Sequence, residues 1–412
     1  MSVDGKMAWR NIWRNPRRSL LTMAAIAFAT LLLVFMLSWQ FGSYDTMINS
    51  AVKIQTGHLQ VQAEGYQSKR DIRLVVPDPR EVDVVLKKIP DVVAFTSRAN
   101  AFSLVSSKKR TYGALVTGID PMREARVSNL EKLIRRGHYL SESDNQSALV
   151  GRLLARNLQV DVGDELVVLG QGLDGSVAAT VVHVKGIFSS GQDDFDRSAI
   201  QIPLRTFQEV YAMQSAVHQV VALADSLDDV AALKRAVKVG IDNMIKRDHQ
   251  VVLDWMELMP GLVEAIKMDL VSGFIFYLIL IVVVAFSILN TFLMSILERK
   301  KEFGVLMAIG TTPGRLTKLL LMESVGMTAL GIVAGIIAGS LITWYFQVHG
   351  IQISGTTELM RQFGLPERIF PRLSVLSVSI GAGIVLVITV LTALYPALKV
   401  RRLRPVEAMT AV

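Results

Sequence analysis

The chain is 412 residues long, 51% hydrophobic and only 19% charged, with a mean hydropathy of +0.40. Soluble globular chains carry about a quarter charged residues, so this composition excludes an intrinsically disordered chain, a collagen-like repeat and a purely soluble enzyme. With no cysteine there is no disulfide framework, thiolate metal site or cysteine nucleophile, and the net charge of +8 gains meaning only from its position.

Residues 1–18 are expected to form a short amphipathic helix. Trp9, Ile12, Trp13 and Pro16 fall on one face, and Lys6, Arg10, Arg14 and Arg17 fall on the other. Tryptophan opposite arginine suits the plane of a membrane interface. Residues 19–44 follow without a single charge and include Leu31-Leu32-Leu33-Val34-Phe35. A bilayer-spanning helix needs about 20 such residues, so this is the first predicted span. Ala27-Phe28-Ala29 has the form of a signal-peptidase site, but the apolar run continues past it, and an uncleaved anchor is expected.

Residues 45–269 form an insertion large enough to hold its own core. Its pattern reads as α+β. Strands are predicted at 57–62, 92–106, 111–118, 146–150, 165–169, 177–188, 199–202 and 250–253. Helices are predicted at 81–89, at 151–158 and from the Ser226/Asp229 capping signal to about Arg247. Two small α+β lobes are expected. Gly170-Gln171-Gly172-Leu173-Asp174-Gly175 matches a dinucleotide-binding pattern, yet that pattern must open a helix. A strand follows here, so the segment is read as a hairpin loop. Asp193, Asp194 and Asp196 lack calcium-loop spacing and are read as a solvated turn. The six histidines form no His-x-x-x-His pair, and neither a nucleophile elbow nor a phosphate-binding Gly-Lys-Ser/Thr loop is present. No catalytic, cofactor-binding or metal-binding residue is assigned.

Three more spans are predicted at 270–297, 319–346 and 373–398. Between the first two of these, residues 298–318 hold a short helix at 300–309, stopped by Gly310 and followed by a helix start at Thr311 or Thr312 with Pro313. Its Phe303, Val305, Leu306 and Ile309 are unusually apolar for a connecting segment. Such a helix either docks into a partner or packs beneath the bundle, and docking is the expectation. Gly331, Gly335 and Gly339 recur every four residues along the third span, a small-residue stripe that lets helices approach closely within one chain or between two. Glu323 sits near one end of that span and is expected to snorkel or to pair with Lys318 or a nearby arginine.

Orientation follows from the bases beside the spans. Before span one, between spans two and three, and after span four lie fourteen Lys and Arg against four acids, a local net of +10 that leaves about −2 elsewhere. These segments are therefore placed in the cytoplasm with both termini. The insertion and a short loop, 347–372, lie outside, and the tail 399–412 lies inside. A nucleic-acid partner loses its support, while membrane lipids gain theirs.

The parts together resemble the permeases of MacB-type ABC transporters, the superfamily that includes FtsX and the lipoprotein-release permeases LolC and LolE. The most specific segments are Arg299-Lys300-Lys301-Glu302-Phe303-Gly304-Val305-Leu306-Met307-Ala308-Ile309-Gly310 and Tyr395-Pro396-Ala397 through Arg404-Pro405-Val406-Glu407-Ala408. Leu149-Val150-Gly151 through Val162-Gly163-Asp164 is most similar to the lipoprotein-release branch, and Arg14-Asn15-Pro16-Arg17-Arg18 to the MacB branch. The resemblance implies four transmembrane helices with a MacB-type periplasmic core domain between helices 1 and 2, in a bacterial inner membrane. It implies that Arg299, Lys301, Glu302, Phe303, Gly304, Val305, Leu306, Ala308, Ile309 and Gly310 couple to an ATPase. Two copies of that separate subunit would bind ATP and magnesium, and a second permease, identical or paralogous, would complete the assembly. The implied substrate is a lipoprotein or lipid. A MacB-like efflux permease and an FtsX-like transmembrane regulator of a periplasmic partner are the alternatives.

Overall fold

A computed structural model describes residues 3–244, 249–352 and 368–400. The C-terminal signature from Arg401 onward, the expected helix end at Arg247 and most of the loop 347–372 lie outside these residues. The chain divides into a helical unit (1–44, 265–352, 368–412) and an inserted unit (45–264, 353–367).

Helix α1 spans Val3–Arg14 and α2 spans Pro16–Ala51. A π-helical turn, Val52–Thr56, ends at Gly57, whose positive φ lets the chain enter the first strand.

The inserted unit then runs β1 (Leu59–Ala63), α3 (Tyr66–Lys69), α4 (Pro79–Lys87), β2 (Val92–Ser106), β3 (Thr111–Ile119) and α5 (Pro121–Val127). It continues with β4 (Ile134–Gly137), β5 (Ser147–Gly151), α6 (Arg152–Leu158), β6 (Glu165–Gln171), β7 (Val177–Phe188), α7 (Asp193–Ser198) and β8 (Ala199–Pro203). The last elements are α8 (Leu204–Val210), β9 (Gln219–Ala224), α9 (Val230–Met244), β10 (Gln250–Asp254) and α10 (Trp255–Leu258). Local chemistry sets the helix starts. Asp78 caps α4 ahead of Pro79, Asp120 caps α5 ahead of Pro121, and Asp254 with Glu257 makes a reciprocal capping box on α10.

All ten strands join one sheet, in the order β10-β1-β9-β2-β3-β8-β5-β7-β4, with β6 pairing β2 and β7. The two-lobe expectation survives only in the packing. One core gathers Val116, Val150, Leu154, Phe207 and Tyr211, a second gathers Leu59, Val61, Val85, Leu86, Val220 and Val237, and a smaller third holds Ile119, Leu130, Leu149 and Phe188. Central strand β9 escapes the sequence pattern because all six of its residues are buried, which erases the alternation that marks a half-exposed strand. The glycine-rich segment is the turn of the antiparallel β6–β7 hairpin, closed by Gly172 N–H on Ser176 O at 2.8 Å.

The aspartate turn requires a correction. Asp193 and Asp194 are exposed, but Asp196 is fully buried and accepts hydrogen bonds from Ser190 N–H at 2.8 Å and Ser190 Oγ at 2.6 Å. It staples its loop from within and is not solvated.

A buried ion pair anchors the start of this unit. Arg98 on β2 grips Glu124 on α5 through Nε at 3.0 Å and Nη2 at 2.6 Å, and also donates to the Gln55 carbonyl in the π turn. A two-pronged pair whose arginine also finds a third acceptor is the geometry in which a buried charge is tolerated.

The helical unit resumes with α11 (Pro260–Glu298), α12 (Lys300–Ala308), α13 (Pro313–His349) and α14 (Val375–Val400). The helices containing the four predicted spans are each long and apolar enough to cross a membrane. The bundle core holds Ile26, Ala29 and Leu33 of α2, Ile288 and Phe292 of α11, Met327 and Ile332 of α13, and Val385 and Ala393 of α14. The glycine stripe is used within the chain, against α2. A Cβ on Gly331 would lie 2.8 Å from Ile26 Cβ, one on Gly335 2.5 Å from Ala27 O, and one on Gly339 3.1 Å from Leu31 Cα.

Candidate coupling site

Helix α12 is short because its ends are written into the sequence. Gly310 adopts φ +100° just beyond it, and Pro313 behind Thr312 starts α13. Its apolar residues divide between two faces. Phe303 is 1% exposed and packs with Met307 on Leu316 and Leu320 of α13, while Gly304 is buried and Leu306 is half-buried on the same cluster. Val305 and Ile309 point outward at 55% and 75% exposure, with Ala308 and Lys301 exposed beside them. Of the predicted coupling residues, then, Phe303 and Gly304 seat the helix and Val305, Ala308 and Ile309 present a surface.

Beneath that surface lies a chain of charges. Arg299, at the break between α11 and α12, donates to Glu323 of α13 at 3.0 and 3.3 Å, and both side chains are nearly buried. Its Nε reaches Glu302 at 3.4 Å, and its guanidinium lies 5.3 Å from the Phe303 ring centroid. Glu302 in turn receives Arg14 of α1. In parallel, Arg18 of α2 bonds Glu298 at 2.9 Å and the Thr291 carbonyl at 3.1 Å. Five helices are thereby joined around one end of α12. Glu323 therefore finds an arginine 24 residues away in sequence and not Lys318. Arg18 and Glu298 were not singled out as a pair, since nothing local links them.

Helix α1 closes this end of the bundle. Ala8 and Ile12 are buried, and Ile12 lies beside Gly326 of α13, where a Cβ would come within 2.9 Å of it. Trp9 and Trp13 face outward in a T-shaped pair with centroids 6.2 Å apart, and Arg10 is exposed. Ile12 thus leaves the face it was expected to share with the tryptophans. Among the described residues no group of three His, Cys, Asp or Glu side chains could hold a metal ion.

Two family models match the chain. The MacB-like periplasmic core domain covers residues 19–239, more than half of the chain, and the FtsX-like permease C-terminal covers 274–405. The chain belongs to the MacB/FtsX family of permeases. The lipoprotein-releasing system transmembrane protein LolC of Xylella fastidiosa is 23% identical, over 96% of this chain and 95% of that protein. The macrolide export ATP-binding/permease protein MacB of Wolinella succinogenes is 22% identical, over 98% of this chain and 60% of that one. The crystal structure of the periplasmic region of MacB from Actinobacillus actinomycetemcomitans matches 49% of this chain and 90% of its own length at 15% identity, with a TM-score of 0.37. This MacB/FtsX permease is accordingly a multi-pass inner-membrane protein of the ABC transporter permease type, LolC-like, with a periplasmic α+β domain.

Proposed function

We propose that this chain couples ATP hydrolysis in a separate ATPase, present in two copies, to the release of lipoprotein or lipid from the outer leaflet of the inner membrane. A second permease, identical or paralogous, completes the assembly, and both termini and α12 face the cytoplasm. The observation that carries the reading is the two-sided α12, seated on α13 by Phe303 and Met307 while Val305 and Ile309 stay exposed.

Closure of an ATPase dimer against that outer face would push α12 as a body. The Arg14–Glu302–Arg299–Glu323 chain passes the displacement to α1 and α13. The glycine stripe locks α13 to α2, and α2 runs unbroken to Ala51, where Arg98 holds the following π turn. A push inside thus becomes movement of the periplasmic domain. The spans suit this role better than conduction. Thr30, Thr328, Thr343 and Thr389 each turn their hydroxyl back to a carbonyl of their own helix, so these polar groups do not line a path. Similarity along nearly the full length of LolC favours lipoprotein release over efflux.

The test is affinity purification of the tagged chain from native membranes in mild detergent. A Val305→Asp/Ile309→Asp variant should keep its membrane insertion and thermal stability, since both sites are exposed, yet lose at least about tenfold of the co-purifying ATPase. An ATPase retained at wild-type stoichiometry would remove α12 as the coupling element.

A further inference from the structure

The inserted unit holds a polar cavity and a basic one. The polar cavity, about 340 Å³, is floored by one face of the sheet, where five adjacent strands each contribute one polar side chain. These are Gln60 from β1, Gln219 from β9, Asn100 from β2, Thr117 from β3 and Gln201 from β8. The row bonds largely within itself. Thr117 Oγ donates to Asn100 Oδ1 at 2.9 Å, Asn100 Nδ2 donates to Gln219 Oε1 at 3.3 Å, and Gln60 Nε2 donates to the Thr56 carbonyl at 2.8 Å. The acceptors left over, Gln60 Oε1 and Gln201 Oε1, are sealed inside the protein, so neither is offered to a ligand.

The basic cavity, about 380 Å³, lies where the end of α4, the start of β2 and α5 meet. Sites that take small molecules run from about 300 to 1,000 Å³. Leu86 lines it from within the core, and Ile89, Val92 and Phe95 rest half-buried on that same core. A bulge opens β2 beside them. Val92 and Ala94 pair with Ala224 and Leu223 of β9, and Val93 between them is turned out, 62% exposed. Arg123 of α5 ties the walls together. Its Nη1 donates to Asp83 of α4 at 2.6 Å, and its guanidinium lies 5.7 Å from the Phe95 ring centroid. Asp83, with Asp120 at 3.7 Å, balances its charge. The other two cations are not balanced. Lys87 and Arg126 are exposed, neither makes an ion pair among the described residues, and no carboxylate lines the cavity. A base in the last turn of a helix offsets the helix dipole. That accounts for Lys87 and Arg126, but not for the exposed apolar surface that shares their cavity.

We infer that this cavity binds an anionic single-chain amphiphile, an aliphatic tail carrying a carboxylate or phosphate head. Six of the nine lining residues are apolar and the other three are cations. An inorganic anion would leave the apolar wall uncovered, and a cation would meet only like charge. A sugar or an extended peptide would find no neutral polar side chain on the wall to pair its hydroxyl or amide groups. Phe95 packs on the core and carries Arg123, which leaves no platform for a nucleobase. A tail covers Ile89, Val92 and Val93 while its head meets Lys87 and Arg126. None of this depends on an ATPase, so its failure and that of the coupling role of α12 are separable.

The purified full-length protein, in an uncharged detergent, is illuminated with a diazirine-bearing decanoate, and the adducts are mapped by mass spectrometry. Labelling of the membrane helices serves as the internal reference for probe concentration. Adducts should fall on residues 86–95 and 123–126. They should drop at least about tenfold in Lys87→Glu/Arg126→Glu and with a diazirine-bearing decanol, which lacks the charged head. If the double variant fails to fold, Lys87→Glu alone carries the comparison. A diazirine-bearing lysophosphatidylglycerol tells the two sources apart, since stronger labelling by it names a phospholipid and weaker labelling a free fatty acid. No adduct in these segments, equal labelling by decanoate and decanol, or equal labelling of wild type and the charge-reversed variant would overturn the assignment. So would displacement of the probe by a Glu-rich peptide but not by unlabelled decanoate.

Discussion

Helices α2 and α11 look alike in sequence, two long apolar helices, yet they are used differently. In their most apolar stretches 44% of the α2 residues are buried within the chain, against 6% for α11. Side-chain size accounts for the contrast. The α13 glycines fit against Met23, Ile26, Ala27, Thr30, Leu31 and Val34 of α2, whereas α11 presents Phe274, Phe276, Ile279, Val283 and Phe286 to its surroundings. Hydropathy places a helix in a bilayer, but between helices of equal hydropathy the small residues choose the neighbours.

The strongest test of that contrast is Gly335→Leu. A side chain there meets Ala27 O and Thr30 Cβ at 2.5 Å, so α2 and α13 must part. We expect a loss of more than about 3 kcal/mol and failure to elute as a single species in size-exclusion chromatography. Ile279→Leu on α11 should cost under about 1 kcal/mol, and equal melting temperatures for the two variants would break the comparison.

Next in size is Arg299→Leu, which strands Glu323 in a nearly buried site. It should cost about 3–5 kcal/mol, and the Arg299→Leu/Glu323→Leu double variant should recover most of it. A double variant as unstable as the single one would show that the pair does not act as a unit.

Acid should separate the inserted unit from the bundle. Burial pushes His58 and His218 down to about 4 from an ordinary value near 6.5, with Lys53 adding to the effect on His58. Unfolded, these rings take up protons that the folded protein refuses, so stability falls as pH drops from about 6.5 towards 4. The loss is on the order of 2–3 kcal/mol per histidine. Asp144 follows a lower window. Burial opposes its ionisation, but hydrogen bonds from Lys185 and Ser141 outweigh this and hold it at about 2, so its contribution is lost between about pH 4 and 2. Tryptophan fluorescence of wild type and His218→Leu across pH 7 to 4 measures the difference, and superimposable curves would remove the histidine from this account.

The smallest change should come from Phe276→Cys, an exposed α11 position in a chain without cysteine. Stability should move by less than about 1 kcal/mol, while oxidation in native membranes should join the chain to a second permease if α11 faces one. Absence of any cross-link along successive α11 positions would leave lipid as the cover of this helix.

Much of this was legible in the sequence. The uncharged runs mark the membrane helices, Gly310 and Pro313 mark the ends of the coupling segment, and strand alternation is plain at β2 and β7. What stayed hidden was tertiary in origin. Phe303 and Val305 are equally apolar on paper, and only the position of α13 decides which is seated and which is presented. Asp196 sits among exposed acids, and its burial depends on the Ser190 loop folding over it. The floor of the polar cavity draws on five strands from residue 60 to residue 219, so no local window contains it.

That polar row also bears on how the sheet finds its pairing. Side chains alternate along a strand, so a slip of one residue exchanges its two faces. In β1, β9 and β8 such a slip would drive Gln60, Gln219 and Gln201 into aliphatic packing and turn Leu59, Val220 and Ile200 towards amides. Strands buried on both sides by similar residues would lack this penalty. Here the amides make the correct alignment distinguishable from its nearest errors, and the residues that line the polar cavity act, during assembly, as the registration marks of the sheet.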